Sequence, residues 1–544
     1  MRPLVALLVF TLLTGSLGAS ERYLVATRKA PQHAQIRMLR DSGDFREHGV
    51  RAFESADAFA ADLTPAEVAE LKRSPEVRFV THVVERHASS LGASPNGSPY
   101  RNVQTVPYGL SMIHAIDLWP ITRGAGPINV VTLDTGIDMR HPELMANYAG
   151  GYNTFTQTAD PTDDNGHGTH VAGTIAAADN NFGVVGVAPQ VRIWSVKVLD
   201  EHGFGLDENV VAGVDWVINK RRAAGGDWIM SMSLGASSDS PVEAEAFKRV
   251  IAEGILAIAA AGNRSFPEVE FPAGYPGVIA VGAVDSTATL ASFSDHGPKL
   301  SVVAPGVNVL STARLGSIPS AGVTVDKGPN VAAVAITGSS RGEIVGPYVF
   351  CGLGRPQDFP ISVAGKIALI KRGEITFNQK VRNAQGAGAL SVVIYNHDDS
   401  DFRFWTLLRP NCADIEGCDD PVHAWPVVLA ISSSDGLRLL DDTSSVMDMG
   451  YWFDDYVFAS GTSQAVPHVS GAAALIWSLR PDATAERVRA ALISTATDLG
   501  PPGVDEMYGH GLINAWEAAK RLAPEKFDLS PPPREPSRPQ PPRP

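Results

Sequence analysis

The sequence has little cysteine. Only Cys351, Cys412 and Cys418 occur in 544 residues, and all three lie in one region. An exported chain can keep disulfides, so one bridge and one leftover thiol are expected, and the sequence does not say which two pair. Positive charge is short as well: 45 Lys and Arg against 59 Asp and Glu leave a net charge of −14. That balance argues against a nucleic-acid groove as the main function. Beyond the N-terminus, long apolar runs are missing, and no later stretch could span a bilayer. What is present is the composition of a globular protein, 44% hydrophobic and 19% charged, in a chain too long for one ordinary domain.

Residues 1–20 read as a signal peptide. Arg2 gives a short positive start, Leu4 to Leu13 is apolar, and Gly15, Ser16, Gly18, Ala19 and Ser20 are small. Cleavage fits after Gly18, Ala19 or Ser20. The protein is therefore expected to be secreted, extracellular and free of the membrane once the signal is removed.

Residues 21–101 differ in texture. An extended segment at Arg22–Thr27, a helical one at Ala66–Lys72 and a strand-like one at Val77–Val80 precede a Ser, Gly, Pro and Asn rich stretch, Ala88–Pro99, which reads as a linker. A small α+β module before an exposed linker suggests a removable pro-segment; a stable accessory domain is the alternative.

From 102 to 314 the pattern is α/β. Apolar strand-like runs at Ile128–Leu133, Val191–Leu199, Trp228–Ser233, Ile255–Ala261, Val278–Val284 and Leu300–Ala304 alternate with helical stretches near His167–Ala178, Leu206–Arg222 and Pro241–Glu253. Such alternation predicts a mostly parallel sheet with helices on both faces and a site at the C-terminal strand ends. Residues 315–455 look inserted, with short strand-like runs at Gly338–Phe350, Lys366–Ile370, Ala389–Tyr395 and Trp425–Ile431 and all three cysteines. The α/β texture returns over 456–522. The Pro-rich tail, 523–544, is expected to be disordered.

Four positions stand at element edges of the α/β part: Asp134 after a buried strand, His167 before a small-residue helix, Asn263 in a Gly-Asn turn and Ser463 at the start of a buried helix. Singly, Asp134 and Asn263 are turn residues and Ser463 is a helix N-cap. His167 and His170 could share a metal with Asp163 and Asp164, although the zinc signature, with histidines four apart and a glutamate between them, is missing. Together the four supply a nucleophile, a base, an acid to fix the base's tautomer and an oxyanion donor. The order Asp, His, Ser is distinct from that of chymotrypsin and of the α/β-hydrolases.

The segments carrying these residues resemble those of the subtilisin family, the subtilases, over about Gln104–Ala313 and Tyr456–Ala518. Val131–Asp138 is similar to the family's Asp motif and His167–Thr174 to its His motif. Gly461-Thr462-Ser463 with Pro467-His468-Val469 is similar to its Ser motif, and Ala260–Asn263 to its oxyanion segment. Gln464 departs from the pattern, standing where the family usually has methionine. The resemblance implies a serine endopeptidase in which Ser463 attacks, His167 carries the proton, Asp134 orients His167 and Asn263 holds the oxyanion. It implies that Ser233, Leu234 and Gly235 pair with an extended polypeptide substrate, and that Ala261 and Gly262 form the opposite pocket wall. Arg264 is expected at the pocket rim, disfavouring basic side chains.

A structural calcium is implied at Asp179–Val184, held by Gln104, Glu143, Asn180 and the carbonyls of Ala178, Phe182 and Val184; a plain Asn-rich loop is the alternative. Gly365–Gly373 and Phe377–Ala389 resemble the protease-associated (PA) domain, β-rich and expected near the cleft to bind or restrict substrates. Gln104–Gly109 resembles the family's mature start, so residues 21–101 would be an intramolecular inhibitor that the enzyme cuts from itself. A monomer is expected. Two other functions are considered: a catalytically silent binding protein on the same scaffold, and a metal-dependent hydrolase at His167 and His170.

Overall fold

The computed structural model describes residues 20–28, 49–88, 91–94, 104–326, 328, 331–398, 405–407, 425–440 and 445–527. Residues 1–19 of the expected signal peptide (1–20), Cys412, Cys418 and the tail from 528 lie outside the described residues. Cys351 is buried, with no disulfide partner among the described residues.

Strand Ile128–Asp134 is buried at every position, as a central parallel strand covered on both faces must be. It anchors a seven-stranded sheet in the order Val302–Pro305, Ile279–Val284, Leu256–Ala260, Asp227–Met232, Ile128–Asp134, Arg192–Lys197, Tyr148–Asn153. Every pairing is parallel. The chain goes from Ile128–Asp134 to one side of the sheet, then crosses and adds strands on the other. The crevice at this reversal is where open α/β sheets hold ligands. Tyr148–Asn153 gives no strand signal in the sequence, because its core is Ala-Gly-Gly on a half-exposed edge.

Helix Thr462–Leu479 is buried all round except at Ser478, and it packs with helix His167–Ala176 against one face of the sheet. Its small residues allow that close approach. Helices Asp207–Ala224 and Pro241–Ala252 pack on one another, with contacts to Ile128–Asp134 and Leu256–Ala260 respectively.

The N-terminal module is a four-stranded antiparallel sheet, ordered Arg51–Phe53, Ala58–Leu63, Glu21–Thr27, Val77–His82, with helix Pro65–Leu71. Thr64 and Glu67 close a capping box on that helix. The module sits on the two outer helices. Asp215 accepts the backbone N–H groups of Glu54 (2.9 Å) and Ser55 (2.6 Å), and Arg22 Nη2 donates to Glu208 at 2.9 Å.

The expected linker Ala88–Pro99 is corrected at Ala88 and Leu91–Ser94; its other residues lie outside the described ones. Glu85–Ala88 and Leu91–Ser94 are strands, the first between Phe204–Leu206 and Leu234–Gly235, the second against Tyr456–Ser460. Its small polar composition suggested a loop, but edge strands of the main domain supply the backbone partners that order it. The disordered tail is also corrected at its start. Pro524–Lys526 forms a 3-10 turn, and Phe527 packs edge-on against Trp516, with ring centroids 5.0 Å apart.

The insert is a closed seven-stranded barrel, ordered Ile318–Val325, Val331–Ala335, Val428–Ile431, Ser391–Tyr395, Ile367–Lys371, Gly342–Phe350, Val446–Asp454. Helix Phe377–Gly386 lies outside it, capped by Thr376 and Gln379. Among the described residues, no helix is long and apolar enough to cross a membrane.

Candidate active site

Asp134 ends the central strand, so its carboxylate emerges at the sheet's C-terminal edge. His167 opens a helix whose N-cap, Gly166, has a φ of 116°. The two meet there: His167 Nδ1 lies 2.7 Å from Asp134 Oδ1, and both side chains are almost wholly buried. Thr135 N–H also donates to Oδ1, at 2.7 Å. Burial pulls the imidazole's pKa down, but the charge and hydrogen bond of Asp134 outweigh it, and the net shift is upward. His167 Nε2 finds no hydrogen-bond partner among the described residues.

Ser463 is the second residue of helix Thr462–Leu479, reached through Gly461 at φ 151°. Its Oγ donates to the Ser233 carbonyl at 2.8 Å rather than to His167. Asn263 closes the arrangement. Its Oδ1 accepts from Thr462 N–H (2.9 Å) and Thr462 Oγ (3.0 Å), which fixes the amide, while its Nδ2 is buried with no acceptor among the described residues. A buried donor without a partner carries a desolvation penalty; beside a serine it is a donor poised for developing negative charge. The structure thus brings Asp134, His167, Asn263 and Ser463 to one edge of the sheet.

The residues of the metal reading are engaged elsewhere. His170 Nε2 lies 3.0 Å from the Val309 carbonyl, and burial lowers its pKa to about 4. Asp163 accepts from Thr135, Asn165, Gly166 and Thr169, and Asp164 pairs with Lys197 at 2.6 Å. These carboxylates organise the loop before His167.

Strand Leu234–Gly235 pairs antiparallel with Ala88 and His87, and Phe204–Leu206 pairs with the other edge of the same segment. Ala88 N–H donates to the Gly203 carbonyl at 2.9 Å. His87 and Ala88 reach a cavity of about 390 Å³ lined also by His167, Asn165 and Gln464. Ser317 and Ile318, where the barrel begins, line it too. Gln464 is fully buried, and neither its oxygen nor its nitrogen has a partner among the described residues.

One residue at the pocket carries no sequence motif. Glu270 lies between the two walls, its Oε2 2.4 Å from where a Cβ on Gly235 would stand and its Cγ 2.7 Å from one on Gly262. Burial pushes its carboxyl up to about 7, against the pull of Arg264. Arg264 Nη2 sits 2.9 Å from Glu270 Oε1 and stacks over Phe266. So Arg264 turns onto Glu270, and an acid 30 or more residues away from Ser233–Gly235 in sequence packs against both Gly235 and Gly262. Only the folded turn brings them together.

Two of the expected calcium ligands, Gln104 and Glu143, reach the loop Asp179–Val184 from elsewhere in the chain. Glu143 accepts from Asn180 Nδ2 (2.8 Å), Val184 N–H (3.1 Å) and the Tyr456 hydroxyl (2.9 Å). Gln104 Oε1 accepts from the N–H groups of Asn180 and Asn181. Burial pushes Glu143 up to about 7, against the pull of these hydrogen bonds. A carboxylate, amide oxygens and carbonyls are the hard donors calcium takes, so the set fits the ion in kind, although the side-chain oxygens of Glu143, Gln104 and Asn180 here accept from N–H and O–H donors.

Comparison with known proteins follows the geometry. The sequence model described as the subtilase family matches residues 127–341 and 444–511, and a PA domain model matches 333–439 between them. A thermostable alkaline protease of Halalkalibacterium halodurans is 37% identical over 321 residues, covering 59% of this chain and 82% of its own. Subtilisin DY of Bacillus licheniformis is 41% identical over 236 residues, 43% of this chain and 84% of its own. A solved structure, the psychrophilic subtilisin-like protease Apa1 from Antarctic Pseudoalteromonas sp. AS-11, superposes with a TM-score of 0.53 at 30% identity, covering 78% of this chain and 99% of its own.

Proposed function

Because this chain belongs to the subtilase family of serine endopeptidases, we propose that it cuts polypeptides through Asp134, His167 and Ser463 and is made as a secreted, self-processing zymogen. Ser463 Oγ attacks the peptide carbonyl. His167 Nε2, with no hydrogen-bond partner among the described residues, takes the proton and returns it to the leaving amine. Asp134 holds the Nδ1 proton and so keeps Nε2 the basic nitrogen. Asn263 Nδ2 and the Ser463 backbone N–H receive the oxyanion at a helix start, where the dipole favours negative charge. The observation that supports this most is the 2.7 Å Asp134–His167 bond, together with an Asn263 amide donor that has no acceptor among the described residues.

Substrate binds as an added strand between Phe204–Leu206 and Leu234–Gly235. Residues 85–88 already lie there, which supports residues 21–101 as an intramolecular inhibitor covering the cleft until cut. The PA barrel, whose first strand starts at the cavity rim, narrows access to it. A calcium ion at Gln104, Glu143, Ala178, Asn180, Phe182 and Val184 would tie the loop Asp179–Val184 to the main domain, with no part in the chemistry. The enzyme acts outside the cell as a monomer, with no nucleic-acid or membrane partner. Labelling of Ser463 by a fluorophosphonate tests the reading; a chain that hydrolyses peptides while Ser463 stays unlabelled, or with Ser463→Ala in place, contradicts it.

A further inference from the structure

We propose that the cleft contains a guanidinium pocket built on Glu243, and that it selects polypeptides with arginine three or four residues on the amino side of the cut bond. The proposal rests on the protease reading above and adds a substrate preference to it.

The occupant is already in place. Arg86, on the strand that fills the cleft, pairs in register with Gly205, and its neighbour His87 with Phe204 and Gly235. Its side chain is wholly buried, at 0% exposure. The guanidinium grips Glu243 with two nitrogens, Nε at 3.3 Å from Oε1 and Nη2 at 2.6 Å from Oε2. Nη1 donates to the Ser238 carbonyl at 3.3 Å. Tyr275 hydroxyl lies 2.9 Å from Glu243 Oε2 and accepts the Ser240 N–H at 2.9 Å, which holds the carboxylate in position. Asp207, on the first turn of its helix, adds a second acid nearby and accepts the Val84 N–H at 3.1 Å.

A forked, two-nitrogen grip on a buried carboxylate is the geometry that arginine satisfies and lysine does not. Such a pair is a poor source of stability, because desolvating both charges offsets their attraction. Its worth lies in discrimination: a side chain that leaves Glu243 buried and unpaired is rejected. When the pro-segment leaves, it takes Arg86 away and leaves Glu243, Tyr275 and Ser238 behind as an acidic pocket on the substrate path. Register then sets the position. Arg86 stands two residues before Ala88, which lines the cavity with His167, so the matching substrate residue is the third or fourth ahead of the cut.

The test uses the full chain after removal of its N-terminal module, with peptides identical except at that position: arginine, citrulline, lysine or alanine. Citrulline keeps the shape of arginine and drops the charge. The expected result is a kcat/KM for arginine roughly 10- to 100-fold above citrulline, with lysine below arginine. Glu243→Gln should bring arginine and citrulline within about threefold, with fluorophosphonate labelling of Ser463 reporting that the variant is folded. Should the variant not fold, the wild-type comparison decides alone. Equal cleavage of arginine and citrulline peptides by a labelled wild-type enzyme overturns the proposal and leaves the protease reading standing. An enzyme that is neither labelled nor active overturns both.

Discussion

Ser233 and Ser463 exchange hydrogen bonds: Ser463 Oγ donates to the Ser233 carbonyl at 2.8 Å, and Ser233 Oγ donates to the Ser463 carbonyl at 2.9 Å. The second bond has a local cause. Pro467, four residues on in the helix, has no N–H for the Ser463 carbonyl, and Ser233 supplies the missing donor. The first bond turns the nucleophile away from His167 while residues 85–88 fill the cleft. Fluorophosphonate labelling of Ser463 is therefore expected to be slow in the intact chain and at least tenfold faster once the N-terminal module is removed. Equal rates in the two forms would contradict the inhibitory role of that module.

Asp134→Asn removes the charge that holds His167. Turnover is expected to fall by about 10⁴, as for loss of the acid in other triads. The acid limb carries a second readout. The base must be neutral, and Asp134 holds His167 above its ordinary value of 6.5. So kcat/KM should rise with pH through a pKa above 6.5 in the wild type, with activity lost below it, and through a lower one in the variant. A pH profile unmoved by the substitution would show that Asp134 does not act on the base.

The α/β sheet was legible because its central strands are apolar runs that alternate with helical stretches. Asp134, His167, Asn263 and Ser463 were legible because each sits in a short segment of demanding backbone. Glu270, Glu243 and Arg86 were not. They carry no local signal, and their role comes from which strands lie beside them. Arg264 was expected to shape the pocket from its rim, yet Glu270, invisible in the local sequence, draws it inward. The cleft strand Glu85–Ala88 gave no strand signal, and its last residue was read as the start of a linker, since strand formation there depends on partners more than 100 residues away.

Asn263→Ala deletes the unpartnered Nδ2 donor. The expectation is a loss of about 10²–10³ in kcat with little change in KM, because the donor meets charge that exists only in the transition state. Thermal unfolding should drop by a few degrees at most, from loss of the two Thr462 bonds. A KM effect with kcat intact would place Asn263 in ground-state binding instead.

Calcium binding at the Asp179–Val184 loop would gather the side-chain oxygens of Glu143, Gln104 and Asn180, now bonded to N–H and O–H donors. Millimolar calcium added to chelator-treated protein is expected to raise Tm by several degrees, and Glu143→Gln to abolish that rise. Coincident melting curves with and without calcium would mean that hydrogen bonds alone hold this loop.

The central claim is that Ser463 is the nucleophile of this endopeptidase. Mass spectrometry of the chain after reaction with a fluorophosphonate tests it most directly. The expected result is one adduct, on the peptide bearing Ser463, with casein hydrolysis lost in proportion, and neither adduct nor hydrolysis in Ser463→Ala. An adduct elsewhere, or hydrolysis that survives the substitution, would contradict it.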